Sequence, residues 1–122
     1  MAVLDSPHIE ALGRFLDVSA FRAQLITSNL ANIDTPGYHT QDINFRRELE
    51  RAAGGLEMQY AAFAPAAREV LGLAARPDGN NVSLEREGLL LAETQMRFQI
   101  GVQLLRAEFH RILSAIREGS GS

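Results

Sequence analysis

From Leu84 to Ile116 the chain carries a stripe that steps alternately by four and three: Leu84, Gly88, Leu91, Gln95, Phe98, Val102, Leu105, Phe109, Ile112 and Ile116. Such a repeat, held for more than about four heptads, forms one face of an α-helix and cannot be buried by a strand. The spacing predicts a helix over 83–118. At ~1.5 Å per residue it would be roughly 50 Å long. Ser83 is placed to cap it, Glu85 and Glu87 sit in the first turn where the helix dipole favours them, and Arg117 and Gly119 suit its end. Leu90, Met96, Ile100 and Leu104 lie off the stripe and mark a second contact face. Gly88 sits within the stripe, either to let another helix approach or as a tolerated weak point.

A second helix is predicted over 6–31. Ser6-Pro7 is a good start, and Glu10 adds charge in the first turn. Ile9, Leu12, Leu16, Ser19, Ala23, Ile26 and Leu30 repeat the four-and-three spacing. Phe15, Val18 and Leu25 widen the apolar face, so this helix expects more than one neighbour. Leu16, Ile26 and Leu30 are therefore expected to pair with Leu91, Phe98, Val102, Leu105, Phe109 and Ile112. The expected fold is mostly α: two long terminal helices pairing as a coiled-coil-like hairpin, in one domain over 1–122. The surplus apolar positions predict a subunit whose burial is completed by other helices.

Between the helices the character changes. Residues 32–53 read as a turn, an extended segment and a short helix. Thr35-Pro36-Gly37-Tyr38 fits a type II turn, with proline presetting the first central residue and glycine supplying positive φ at the second. Residues 54–82 read as a loop. Gly54-Gly55 breaks the short helix, and Leu56 to Ala75 is either a partly flexible loop or a segment that orders on a partner. Arg76-Pro77-Asp78-Gly79-Asn80-Asn81 is a turn cluster leading into the last helix.

The composition removes several function classes. With 46% hydrophobic residues the 122-residue chain has enough apolar material to pack. Its net charge is -3 and its basic residues are dispersed, unlike a nucleic-acid-binding face. The longest wholly apolar runs are short, such as Leu89 to Ala92, far from the ~20 residues that cross a bilayer. Met1 to Arg14 lacks the cationic start and apolar core of a cleaved secretory signal. With no cysteine there is no disulfide, thiolate nucleophile or cysteine-bound zinc. His8, His39 and His110 form no metal-ligand spacing, and surface roles fit them better than ligation. Glu85 and Glu87 diverge on a helix and are better read as dipole partners than as a catalytic pair. The charged run Arg46 to Arg51 reads as a solvated helix face. No nucleophile, base and stabiliser come together, so neither an enzyme nor a cofactor is expected.

Asn29-Leu30-Ala31-Asn32 followed by Asp34-Thr35-Pro36-Gly37-Tyr38 has two readings. One is a helix end and a turn, because asparagine tolerates left-handed backbone and Pro-Gly redirects the chain. The other adds that Asn29 and Asn32 bond across to neighbouring backbone and set how subunits stack. This string, with Ala20-Phe21-Arg22-Ala23-Gln24 before it and Asp42 to Phe45 after it, resembles the bacterial flagellar axial proteins of the rod and hook. At the other end, Asp78-Gly79-Asn80-Asn81-Val82 and Leu84-Glu85-Arg86-Glu87, together with the short length, are similar to the B-type basal-body rod proteins. C-type rod proteins carry a differently worded linker, and distal rod and hook proteins are longer.

The resemblance implies a structural subunit of the proximal rod that polymerises through its terminal helices into the torque-transmitting shaft. It implies a place in the basal body, in the periplasmic space, after flagellar type III export without a cleaved signal. Implied partners are copies of itself, related rod proteins, the rod-to-membrane-ring junction and the export apparatus. Asn29, Leu30, Ala31, Asn32, Thr35, Pro36, Gly37 and Tyr38 would form the turn and assembly motif. The rival readings are a C-type rod subunit and, further off, a helical export chaperone or adaptor.

Overall fold

The computed structural model describes residues 7–52 and 65–120. Along the chain run helix α1 (Pro7–Ala31), strand β1 (Gln41–Asp42), helix α2 (Phe45–Ala52), strand β2 (Arg68–Glu69) and helix α3 (Leu84–Ser120). The Ser6 cap, the Gly54-Gly55 break, the first part of the predicted loop and the last two residues lie outside the described residues. The fold is mostly helical, with two long terminal helices and one small antiparallel ribbon pairing Gln41 with Glu69 and Asp42 with Arg68.

Local chemistry accounts for the boundaries. Pro7 takes the first helical position of α1, where a missing N–H costs nothing. At the other end the Asn32 N–H reaches the Ser28 carbonyl at 3.1 Å, and the Asn32 side-chain amide donates to the same oxygen at 2.8 Å. Asn44 caps α2, its side-chain oxygen accepting the Arg47 N–H at 3.0 Å. Ser83 caps α3 through its hydroxyl, which accepts the Arg86 N–H at 3.2 Å. The 37 residues of α3 make a rod of about 55 Å. The helix passes through Gly119 to Ser120, two residues beyond the predicted end, within the fraying expected of helix termini.

α1 and α3 pair antiparallel: Asn29 meets Glu87 near the turn, and Leu16 meets Gly101 farther along. Val18, Ile26, Ile43, Val82 and Ile112 form the buried apolar core. Burial of a side chain such as Ile26 stabilises the fold by about 2 kcal/mol. α2 packs beside α1 through Phe45, whose ring meets Phe15 edge-on with centroids 5.6 Å apart. The Arg97 guanidinium lies 4.8 Å over the same Phe45 ring, so one aromatic ties α2 to both long helices.

The face that α3 turns to α1 is offset from the regular stripe. Leu91, Phe98, Leu105 and Ile112 belong to both. The intervening positions at the centre of the contact are Glu87, Thr94, Gly101 and Glu108, each one residue before Gly88, Gln95, Val102 and Phe109. At ~100° per residue the stripe is rotated about 50° away from α1. Gly101 is one physical reason. A Cβ there would come within 2.9 Å of Leu16 Cδ2 and 3.0 Å of Phe15 Cδ1, so the absent side chain is what lets the helices approach. Around Gly88, by contrast, a Cβ would meet no atom of the described residues within 4 Å. Gly88→Ala is therefore expected to raise stability by about 0.5–1 kcal/mol in urea unfolding, since alanine removes the helix-propensity penalty without a clash.

Candidate functional site

The residues singled out in the sequence fall in two places: a polar junction where the helices meet the turn, and the helix-pairing face. The junction is built around Asn29, 1% exposed in the last turns of α1. Its amide nitrogen donates to the Gln41 carbonyl at 2.8 Å and to Glu87 Oε2 at 3.1 Å. Its oxygen accepts the Gln41 N–H at 3.0 Å and the Tyr38 hydroxyl at 3.0 Å. Both donors and both acceptor positions of one amide are thus used. To Gln41 this side chain acts as a neighbouring strand residue, fixing β1 against α1 on the side opposite β2.

Asn80 performs the matching task for the turn. It is fully buried, and its amide nitrogen donates to the Asn32 carbonyl at 2.9 Å and the Thr35 carbonyl at 2.8 Å. Its oxygen accepts the Val82 N–H at 2.8 Å. These turn carbonyls already accept the Thr35 and Tyr38 N–H groups, and Asn80 bonds each a second time from 48 and 45 residues away. The Arg76 guanidinium adds a further bond to the Ile33 carbonyl. Asn81 accepts the Thr40 N–H at 2.7 Å through its side-chain oxygen, and the Thr40 hydroxyl donates to the same atom at 2.9 Å. The turn cluster before α3 and the turn after α1 therefore lock into each other.

Thr35-Pro36-Gly37-Tyr38 has the geometry of a type II turn: Gly37 has φ 74°, and the Tyr38 N–H donates to the Thr35 carbonyl at 3.2 Å. The Gly37 N–H donates to the Asp78 carbonyl at 2.9 Å, and a Cβ on Gly79 would approach Gly37 Cα at 3.4 Å. Two glycine turns are thus pressed backbone to backbone. Gly37→Val is expected to cost about 2 kcal/mol or more, because a β-branched side chain resists positive φ. Gly37→Asn should retain most of the stability. Urea midpoints of the two variants check this ordering.

An ion network extends from the same junction. Arg22 on α1 holds Asp42 by two bonds of 3.1 Å, and the second Asp42 oxygen also accepts from Arg86 at 3.2 Å. Arg86 in turn bonds to Glu87 at 2.6 Å. Asp42 also accepts the neighbouring Ile43 N–H at 2.7 Å. Two cations face two anions, so the network is neutral, and Glu87 is tolerated at 0% exposure because Asn29 and Arg86 both donate to it. Glu87 therefore does more than balance the helix dipole. Glu48 differs likewise from its reading as a solvated charge. It is 3% exposed and accepts the Ala66 N–H at 3.3 Å and an Arg51 bond at 3.1 Å, so it fastens the chain before β2 to α2.

Of the turn and assembly residues, Asn29 is buried. Leu30, Asn32 and Tyr38 are half-buried, and Ala31, Thr35, Pro36 and Gly37 are exposed. Of the helix-pairing residues, Ile26 and Ile112 are buried, and Leu16, Leu30, Leu91, Val102 and Leu105 are half-buried. Phe98, at the edge of the face that meets α1, and Phe109, beyond that edge, remain 39% and 42% exposed. Arg22, Thr40, Asp42, Asn80, Asn81, Arg86 and Glu87 complete the junction. Most of these stand in the strings that carried the family resemblance. Their pairing across 20 to 58 residues leaves no periodic signal in the sequence.

Chemically the junction is a fastener. Its donors and acceptors serve other elements of the same chain and fix the angle between helices and turn. Among the described residues no group of three histidine, cysteine, aspartate or glutamate side chains is placed to hold a metal ion, and no helix is long and apolar enough to cross a membrane.

Comparison with known proteins points in one direction. The chain is 37% identical over 106 residues to the flagellar basal body rod protein FlgB of Cereibacter sphaeroides ATCC 17029, covering 79% of this chain and 83% of that protein. It is 27% identical to the protein of the same name from Salmonella typhimurium LT2, over 86% of this chain and 89% of the relative. It is 26% identical to that of Bacillus subtilis 168, over 95% of this chain and 98% of the relative. No family model matches the chain.

Proposed function

From the chain's membership of the flagellar basal body rod protein FlgB family we propose that it is a structural subunit of the proximal rod, polymerising with its own kind and with related rod proteins. The observation that carries this reading is the family likeness across most of the chain, joined to a helix hairpin with much of its apolar surface uncovered. Leu84, Leu89, Met96, Phe98, Ile100, Leu104, Phe109, Leu113 and Ile116 are all exposed on α3. Apolar area of this kind on one helix is what a subunit uses to bind neighbours. Paired helices suit a torque-bearing shaft, because their backbone hydrogen bonds run along the axis and long interfaces spread load.

In this reading the exposed turn of Thr35, Pro36 and Gly37 contacts the next subunit, while the junction beneath keeps that turn at a constant angle to the helices. The subunit works in the basal body within the periplasmic space, near the rod-to-membrane-ring junction, and reaches it through the flagellar type III export apparatus. Labelling the subunit and imaging purified basal bodies tests the assignment. Label is expected at the base of the rod. Basal bodies without label, from cells that express the subunit and swim, would refute it.

A further inference from the structure

Two hydroxyl groups are out of keeping with the saturated junction. Ser19 Oγ on α1 and Thr94 Oγ1 on α3 are buried and have no hydrogen-bond partner among the described residues. The residues are 0% and 2% exposed. Leaving a buried hydroxyl unpaired is costly, so each such group calls for an explanation. Both line one open cavity of about 500 Å³ along the seam between the long helices, with Ala20, Ala23, Gln95, Phe98 and Gln99. Small residues shape its α1 wall, an aromatic side chain flanks it, and two amides stand at its rim.

The cavity opens on the flank of α3 to which the regular stripe is rotated. Leu84, Phe98, Phe109, Leu113 and Ile116 lie towards this side and are 65%, 39%, 42%, 48% and 44% exposed. At ~200 Å² for a large side chain they offer about 480 Å² of apolar surface. A standard interface takes ~800 Å² from each partner, a little over half of it non-polar, so this one flank has the apolar content of a complete interface. A heptad stripe turned away from its intramolecular partner is a stripe without its second helix.

We propose that this flank is the contact surface for a second copy of the chain, one of whose helices lies along the stripe and places a polar side chain between Ser19 and Thr94. The contact rests on the rod-subunit reading and specifies which face of the hairpin serves it. The hydroxyls are kept unpaired within the subunit because their partners arrive with the neighbour. The apolar stripe supplies attraction, and the hydroxyls fix the axial register, since a shifted copy would leave them buried and unbonded.

The test uses a combined Ser19→Ala, Thr94→Val variant. If the hydroxyls served only the fold, removing unbonded polar atoms would leave stability equal or higher and association unchanged. The proposal expects helicity and the urea midpoint to hold while self-association, measured by sedimentation equilibrium, weakens about tenfold or more. Gln99→Arg, at the exposed rim, places a bulky charge in the neighbour's path without entering the core, and remains decisive if the first variant does not fold. It too is expected to weaken association by at least tenfold. Unchanged association in a folded variant overturns the groove and leaves the rod assignment to the labelling of basal bodies. A wild-type chain that is monomeric alone and associates only with a different purified rod protein also overturns it, because the occupant is then not a copy.

Discussion

Asn29→Ala is expected to lower the unfolding free energy by about 3–4 kcal/mol, read as a fall in the urea midpoint at unchanged slope. The substitution deletes four hydrogen bonds at once. It strands the Gln41 N–H and carbonyl, releases the Tyr38 hydroxyl, and removes one of the two donors to the Glu87 carboxylate, which is 0% exposed. Domains of this size are stable by only ~5–15 kcal/mol, so the loss would be a large share of the total. Asn32→Ala is the informative contrast. Asn32 is half-buried, and its side chain donates to Ser28 and accepts from Thr35 within the helix end and turn. It should cost about 1 kcal/mol or less. Equal effects at the two asparagines would remove Asn29 from the centre of the junction.

Ile26→Asp is expected to have the largest effect, more than about 4 kcal/mol, because it places a carboxylate at a site 1% exposed in the helix seam. The isolated chain should lose its helical circular dichroism at temperatures where the wild type is folded. Phe109→Asp, at a site 42% exposed, should cost the isolated hairpin about 1 kcal/mol or less. Both residues belong to the regular stripes of their helices, so pattern alone predicts the same result for both. If Phe109→Asp unfolded the isolated chain as Ile26→Asp does, the rotation of α3 would be refuted.

The two long helices were legible because each repeats one simple signal many times. Four-and-three spacing marks a helix wherever it persists, and Pro7 and Ser83 are start signals that act within one turn. The type II turn was equally readable, since only glycine takes positive φ without cost at its second central position. The rotation of α3 was not. Hydrophobic periodicity selects the greasiest stripe, whereas the face that α1 contacts is centred on Glu87, Thr94, Gly101 and Glu108, three of them polar and one without a side chain. Gly101 is silent in the pattern for the same reason: its contribution is the close approach it permits. Gly88 is the glycine that the stripe makes conspicuous, yet a Cβ there would meet no atom of the described residues within 4 Å.

The candidate site divides in the same way. Asn29 and Asn32 stand three residues apart in one string, yet one is the buried hub and the other a local cap. Which is which depends on what α3 and β1 bring against α1, and the nearest of those partners lies 12 residues away and the farthest 58. Glu48 and Glu87 looked like ordinary helix charges because burial of a charge is set by its surroundings and leaves no mark on its neighbours in the chain.

Local rules, which act over a few residues, were enough to decide on their own that this protein is a pair of long helices joined through a Pro-Gly turn, and family likeness supplied its kinship. Only the tertiary structure decided which side of α3 meets α1, which polar groups saturate one another, and which apolar flank is left over. Those outcomes depend on the simultaneous placement of groups far apart in the chain, where a missing Cβ at Gly101 or one amide at Asn29 can outweigh a longer and more regular hydrophobic stripe.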